Sequence, residues 1–204
     1  MEEFFMSKDF NTSVKERRSI YGISKESPVG DERIQEIINH AVKYTPSAFN
    51  SQSARVLILL GKSHNKVWDI TKEVLRKIVP ADSFSSTEER VNSFRSGYGT
   101  VLFFEDQAVI EGLQKQFALY KDNFPIWSQQ SSGMLQLVIW TSLENEGLGA
   151  SLQHYNPLID EEVRKEWHIP ENWKLIAQMP FGKPTAPAGD KQFNSIEDRV
   201  KVFK

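Results

Sequence analysis

Apolar residues recur along residues 30–44 at Ile34, Ile37, Ile38, Ala41 and Val42, the i, i+3, i+4, i+7, i+8 spacing of one helix face. Pro46 follows, a common stop. After a polar loop over residues 45–53 comes Val56-Leu57-Ile58-Leu59-Leu60, closed by Gly61. Its length and branched side chains predict a buried strand. Residues 63–79 return to helical spacing, with Val67, Ile70, Val74, Leu75 and Ile78 inward. Ser86-Thr87-Glu88-Glu89 has the form of a capping box and predicts a short helix starting there. Residues 100–105 (TVLFFE) predict a second buried strand, and residues 107–119 another helix.

Residues 126–146 predict the longest helix. Between Met134 and Leu143 it is apolar on most sides, the mark of a helix enclosed by protein. Gly147 and Gly149 end it. Residues 148–152 predict a short third strand. Asn156-Pro157 reads as an N-cap followed by a first-turn proline, so residues 158–167 predict a helix. Residues 173–181 predict a fourth strand. From Gly182 the chain carries Pro184 and Pro187, then a charged tail ending in Val202-Phe203. The tail, residues 181–204, is too poor in apolar side chains to fold alone and is expected to lie across the body or across a partner. No repeat or linker divides the chain, so the pattern predicts one domain of mixed helices and strands over residues 1–204.

Composition narrows what such a domain can do. The 204 residues include no cysteine, which excludes disulfides, thiolate zinc sites, cysteine-held iron–sulfur clusters and a cysteine nucleophile. Lys and Arg number 25 and Asp and Glu 27, a net charge of −2 that gives no bulk attraction to nucleic acid or anionic membrane. The longest apolar run, Val56 to Leu60, is far short of the ~20 residues of a membrane span. Met1-Glu2-Glu3-Phe4-Phe5 is acidic where a secretory signal is basic. The expectation is a cytoplasmic protein with neither nucleic acid nor membrane as partner.

The common catalytic motifs are missing. There is no phosphate-binding P-loop and no G-x-S-x-G elbow. Gly147-Leu148-Gly149 begins like a dinucleotide fingerprint, but it follows a helix and precedes a strand, the reverse of the required order. His40, His64, His154 and His168 are unpaired at helical spacing, so no protein-held metal is expected. With no nucleophile of its own, an enzyme of this sequence would rely on a cofactor.

Three segments have the chemistry to hold one. Arg17-Arg18-Ser19 ends the N-terminal helix. It is either a basic helix terminus favoured by the dipole or an anion site, because guanidinium forks bind phosphate or a polar ring edge bidentately. Pro46-Ser47-Ala48-Phe49-Asn50-Ser51-Gln52 is either an ordinary turn or a binding loop at the mouth of a strand, where amide side chains suit the imide edge of a heterocycle. The tail offers Gly182-Lys183-Pro184 and then Lys191.

In order and spacing these segments resemble the nitroreductase family of flavoproteins. The likeness covers nearly the whole chain and includes Gly147-Leu148-Gly149 before a short strand. It is nearest to the short branch that holds the yeast fatty-acid-repression-type proteins and the copper-induced bacterial nitroreductases. Arg17-Arg18-Ser19-Ile20-Tyr21, the loop with Phe49, and the ending Gly189-Asp190-Lys191-Gln192-Phe193 with Arg199-Val200-Lys201-Val202 carry that likeness. Tyr21 stands where many relatives have a basic residue, which removes or displaces one phosphate contact.

The resemblance implies an α+β fold with a central mixed β-sheet covered by helices. It also implies a homodimer with FMN at the interface and NAD(P)H as electron donor. It puts Arg17, Arg18, Ser19 and Lys191 at the FMN phosphate or polar ring edge, and Asn50 with Gln52 at the pyrimidine edge. Pro46, Ser47 and Ala48 belong to the same loop, with Ser47 and Ala48 reaching the other subunit's site. Leu152, Gln153 and His154 would lie against the ring. Phe124 and Trp127 would border the pocket for a small aromatic acceptor. No catalytic side chain is implied, since FMN carries the chemistry. His154 could instead be a structural histidine, and Phe124 and Trp127 plain core. The implied activity is ping-pong reduction of nitroaromatic or quinone-like acceptors, with a stress role. The competing class is a flavin-binding, fatty-acid-responsive regulator whose turnover is incidental. A further alternative is a sister flavoenzyme of the same fold, such as a dehalogenase or a flavin-destroying enzyme.

Overall fold

The computed structural model describes residues 8–204, so the acidic stretch of residues 1–5 lies outside the described residues. At the centre runs β3 (Gly99–Asp106), buried along its whole length. A strand covered on both faces must be apolar on both. Val101 and Phe103 accordingly face one side, Leu102 and Phe104 the other. β3 pairs antiparallel with β2 (Ala54–Leu60) and with β5 (Trp173–Pro184). β1 (Ile23–Ser24) and β4 (Gly149–Ala150) each add a short antiparallel ladder to β5. A parallel bridge between Ser19 and Ala150 gives the sheet its mixed character.

Helices cover both faces. On one, α2 (Asp31–Tyr44) and α6 (Phe124–Asn145) bury Ile34, Ile38, Leu135, Ile139 and Leu143 against Val101, Phe103 and Met179. On the other, α3 (Gly61–Arg76), α4 (Phe84–Arg95) and α7 (Asp160–Glu166) bury Val67, Trp68, Phe94 and Val163 against Leu102, Phe104 and Leu175. α1 (Phe10–Glu16) leans on α6, and α5 (Gln107–Gln116) follows β3 directly. The α+β class and the sheet between helices are as the resemblance implies. Among the described residues no helix is long and apolar enough to cross a membrane.

Some boundaries depart from the sequence-based expectation, each for a local reason. α4 begins at Phe84, not at the Ser86 box. Phe84 is buried in the core, and the Ser86 hydroxyl donates back to the Ser83 carbonyl at 3.3 Å. α3 stops at Arg76, which leaves Ile78 exposed rather than inward, and Val42 on α2 is exposed as well. α5 ends at Gln116, short of residue 119, and a 3-10 turn, Ala118–Tyr120, follows. Asn156-Pro157 does not open α7. Residues 156–159 form a turn in which the Gln178 side chain accepts from the Tyr155 N–H at 2.7 Å and donates to the Asn156 amide oxygen at 3.4 Å. α7 starts at Asp160, with three acids in its first turn where the dipole favours them. The strand expected over residues 148–152 contracts to Gly149–Ala150. β5 continues past Phe181 because Gly182 pairs with Gly149, and Lys183 and Pro184 pair with β1. α6 starts at Phe124, two residues before the expected start at residue 126, with Pro125 in its first turn. Its inner face is covered, whereas Ile126, Met134, Leu137 and Val138 on the outer side are exposed. Residues 189–204 are exposed throughout.

One polar group lies deep in the α3 side. His64 is 1% exposed. Its Nδ1 lies 2.9 Å from the Thr100 hydroxyl, and its Nε2 lies 3.2 Å from the Arg95 carbonyl. The Trp68 indole also donates to Thr100, at 2.9 Å. A carbonyl can only accept, so Nε2 carries the proton and Nδ1 accepts from Thr100. Burial first, then the nearby Arg95 and Lys25 charges, lowers the His64 pKa from 6.5 to about 4. Below about pH 6.5 the unfolded chain takes up a proton that the folded chain refuses until about pH 4. Stability therefore falls as the pH falls through that window, by on the order of 3 kcal/mol in full. Urea unfolding from pH 7 to pH 4.5 should show this decline, and it should be flatter in His64→Gln. An equal slope in that variant would assign the decline to other groups.

Candidate functional site

α1 is capped by Asp9, whose carboxylate accepts from the Asn11 and Thr12 N–H groups at 2.9 and 3.1 Å. The helix stops at Arg17, where the backbone turns extended (φ −58°, ψ 114°). Arg17 and Arg18 then belong to no helix or strand, Ser19 forms a parallel bridge with Ala150, and the Ile20 N–H donates to the Ala150 carbonyl at 2.9 Å. The Arg17 guanidinium lies 4.3 Å from the centre of the Trp140 ring. Its Nε is buried and has no hydrogen-bond partner among the described residues. Burial, then the adjacent Arg18 charge, lowers the Arg17 pKa. Two neighbouring cations, one with an unsatisfied buried donor, form a site that calls for an anion.

Arg18 donates to the Gly189 carbonyl at 2.6 Å and so draws the tail to this place. Lys191 follows two residues later, exposed, with its ammonium 5.1 Å from the Phe193 ring centre. A cavity of about 990 Å³ opens here, lined among others by Arg18, Ile20, His40, Trp140 and Gly149.

Gly147-Leu148-Gly149 has a structural task beside this cavity. Gly147 adopts φ +80°, its N–H bonds the Glu144 carbonyl at 2.8 Å, and the Leu148 N–H bonds the Leu143 carbonyl at 3.0 Å. That is the Schellman ending of α6. A Cβ on Gly149 would stand 2.7 Å from the Ile20 side chain, so glycine lets the segment of residues 19–20 approach. Beyond Ala150 the chain continues to Leu152, Gln153 and His154. Gln153 is buried and exchanges both backbone hydrogen bonds with Gln178, at 2.7 and 2.9 Å. Leu152 packs on the α6 side of the core. His154 is exposed and lines a second cavity of about 350 Å³ with Gln136 and Lys174.

The other polar loop lies elsewhere. Residues 48–50 form a 3-10 turn, and the Ser47 hydroxyl accepts from the Gln52 N–H at 3.0 Å. Phe49, Asn50 and Gln52 all have positive φ, at 56°, 50° and 48°. Only asparagine takes that conformation readily, so the loop holds strain. The Asn50 and Gln52 side-chain amides are exposed and bond no other described residue. The Phe49 ring stacks on Trp127 at 5.7 Å and meets Phe117, Phe124 and Tyr120 at 5.0 to 6.0 Å. Phe124 is 3% exposed, packed as core within the chain, whereas Trp127 is half-buried.

Two groups of expected residues thus emerge. Arg17, Arg18 and Ser19 lie beside Ala150 with the start of the tail that carries Lys191, whereas Leu152, Gln153 and His154 lie further along β5, where His154 lines the second cavity. Pro46, Ser47, Ala48, Asn50 and Gln52 gather with Phe124 and Trp127. α6 separates the two, because Arg17 meets Trp140 and Phe49 meets Trp127, 13 residues apart and so roughly 20 Å along the helix. Sequence reasoning missed Glu105, which is fully buried and accepts from Ser53 at 2.6 Å and Ser128 at 2.9 Å. It also missed the Arg55–Asp106 ion pair at 2.8 Å below the same loop. The signal was available in the acidic end of an otherwise apolar strand.

With the geometry established, comparisons identify the chain's relatives. The nitroreductase family profile matches residues 14–183. The putative nitroreductase HBN1 of Saccharomyces cerevisiae is 38% identical over 189 residues, 92% of this chain and 93% of the yeast protein. Nitroreductase CinD of Lactococcus lactis, solved in complex with chloramphenicol and with 4-nitrophenol, is 47% identical over 96% of this chain and 100% of its own, with a TM-score of 0.88. A nitroreductase-like protein of Desulfovibrio desulfuricans solved in complex with FMN has a TM-score of 0.69 over 97% of this chain and 99% of its own. At 18% identity that likeness concerns the fold alone. The family match over most of the chain, the yeast relative and the close superposition on CinD point the same way: this chain belongs to the nitroreductase family, and it is an oxidoreductase of that type.

Proposed function

We propose that the protein is an FMN-dependent homodimer that passes electrons from NAD(P)H to small, electron-poor aromatic acceptors. The observation that carries this reading is Arg17. Its buried, unpartnered Nε beside Arg18 is a costly arrangement without an anion and fits a phosphate or a reducible ring edge. Arg17, Arg18, Ser19 and Lys191 would hold FMN at that end, and Asn50 and Gln52 offer free amides for its pyrimidine edge. FMN, when bound, supplies hydride acceptance and donation at its N5. The complexes of CinD with 4-nitrophenol and chloramphenicol support an aromatic acceptor here. Donor and acceptor would use one open face in turn, which makes the kinetics ping-pong and the initial-rate plots parallel.

Two observations support the dimer, the spacing of the two residue groups and the apolar surface of α6. The arginine edge and the amide loop of one chain are roughly 20 Å apart along the helix, too far to grip one ring system. A second copy related by a two-fold axis would bring its loop to the first copy's arginines. Ile126, Met134, Leu137 and Val138 supply an exposed apolar stripe for that interface, which should bury about 2,000 Å² or more.

Three outcomes are expected. The purified protein should be yellow, with noncovalent FMN. Arg17→Ala should weaken FMN binding by roughly 10- to 100-fold, as expected for a lost charge-assisted bond. A colourless protein that takes up no added FMN would refute the reading. In sedimentation, the wild type should be dimeric at micromolar concentration, and Leu137→Glu should shift it to monomer with loss of FMN. A monomer that retains FMN would refute the shared site. Finally, Trp127→Ala should admit bulkier quinones while leaving FMN affinity nearly unchanged, since ring stacking is worth about 0.5–1.5 kcal/mol. An unchanged substrate ranking would make Trp127 core alone.

A further inference from the structure

We infer that Glu105 is a positioning residue: it is the buried anchor that fixes the loop of residues 46–52 and ties it to the helix carrying Trp127. The inference rests on the proposed FMN site and deepens it.

Along β3 the α6-facing row is Val101, Phe103 and then Glu105. The first two are ordinary core. The third is a carboxyl with 0% exposure, in a position where an apolar side chain would avoid the cost of burial. Burial pushes its pKa up, against the pull of Ser53, Ser128 and the Arg55 charge. What the carboxyl does is specific. Its Oε2 accepts from two hydroxyls, Ser53 at the base of the loop (2.6 Å) and Ser128 on the first turns of α6 (2.9 Å). Ser128 directly follows Trp127 and stands four residues after Phe124. One oxygen therefore joins the amide-bearing loop to the aromatic wall.

A second layer supports the first. The Ser53 carbonyl accepts from the Asp106 N–H at 2.9 Å. Arg55 donates to the Gln52 carbonyl at 2.8 Å and to the Asp106 carboxylate at 2.8 Å. Asp106 in turn accepts from Asn172 at 2.6 Å and caps α5. The loop needs such support because Phe49, Asn50 and Gln52 sit at positive φ, and a strained segment persists only where its surroundings over-determine it. Removing the acceptor would leave the buried Ser128 hydroxyl unpaired and Ser53 with only the Ser51 hydroxyl at 3.5 Å, and would release the loop, while the arginine edge at the far end of α6 would keep its own contacts.

The test uses the full-length dimer and two readouts, FMN titration and hydrogen exchange of the peptide covering residues 46–53. Glu105→Leu should raise the FMN dissociation constant by ~10-fold or more and speed exchange in that peptide. Exchange in residues 17–20 should not change. Glu105→Gln keeps an oxygen acceptor of the same shape and should stay within about 3-fold of wild type in FMN affinity. Wild-type FMN affinity and loop exchange in Glu105→Leu would overturn the inference. So would a Glu105→Gln variant as impaired as Glu105→Leu, because charge and not the acceptor would then be at work. If Glu105→Leu fails to fold, Ser53→Ala decides: weaker FMN and faster loop exchange uphold the anchor, and unchanged values overturn it. If the wild type binds no FMN, the flavin reading fails, and loop exchange in Glu105→Leu and Ser53→Ala alone decides for or against the anchor.

Discussion

α6 is 22 residues long, about 33 Å of straight helix, and both halves of the candidate site are attached to it. Trp140 near one end receives Arg17, and Trp127 near the other receives Phe49. The length of the helix keeps the cationic edge and the amide loop from meeting in one chain. Its inner face cannot yield, because Leu135, Ile139 and Leu143 are buried against β3 and β5. Its outer face is apolar and uncovered. The same helix thus divides the site within a chain and offers the surface on which two chains could complete it.

The polar groups inside the sheet serve that arrangement in different ways. Thr100 and Glu105 lie on one strand and are both fully buried, but they face opposite helical layers. Thr100 closes a network with His64 and Trp68 under α3 and α4, far from the arginine edge and the loop. Every group of that network is paired, so it stabilises while His64 stays neutral. Glu105 is different, since its Oε1 is buried without a partner. A carboxyl so placed weakens the strand as packing and gains only through what it orients. The contrast separates a polar core that is self-contained from one that reaches out to a loop.

The sequence disclosed most of this wherever the pattern was local. The α2 stripe, strands β2 and β3 and the long helix follow from the local pattern, although β2, expected to be buried, is a half-buried edge strand because only β3 pairs with it. The failures came where tertiary contacts overrode a local motif. The Ser86 box lost to the burial of Phe84, and the Asn156-Pro157 cap lost to the Gln178 side chain, which occupies the groups that a cap would use. β5 outran its expected end because β1 and β4, too short to read from sequence, pair with its final residues. The candidate site residues were legible as motifs, but their separation by α6 was not. No spacing in a sequence reports which end of a helix a distant loop will meet.

Arg17 and Arg18 are neighbours, yet the structure gives them unequal freedom. Arg18 has already committed one donor to the Gly189 carbonyl, which fixes the start of the tail. A guanidinium has five donors, so an anion could still bind without releasing the tail. Arg17 leans on Trp140, and no described residue pairs with its Nε. Stacking holds the plane of the group while leaving its fork unspent, an orientation suited to bidentate recognition. Arg18 thus ties the cavity to the start of the tail, and Arg17 keeps a donor that no described residue takes up. Arg18 itself lines the cavity, and Arg17 rests on Trp140, another lining residue, so the two guanidiniums stand at different places around it. A ligand that meets both must present negative charge at more than one point, as a phosphate attached to a polar ring system does and a lone halide does not.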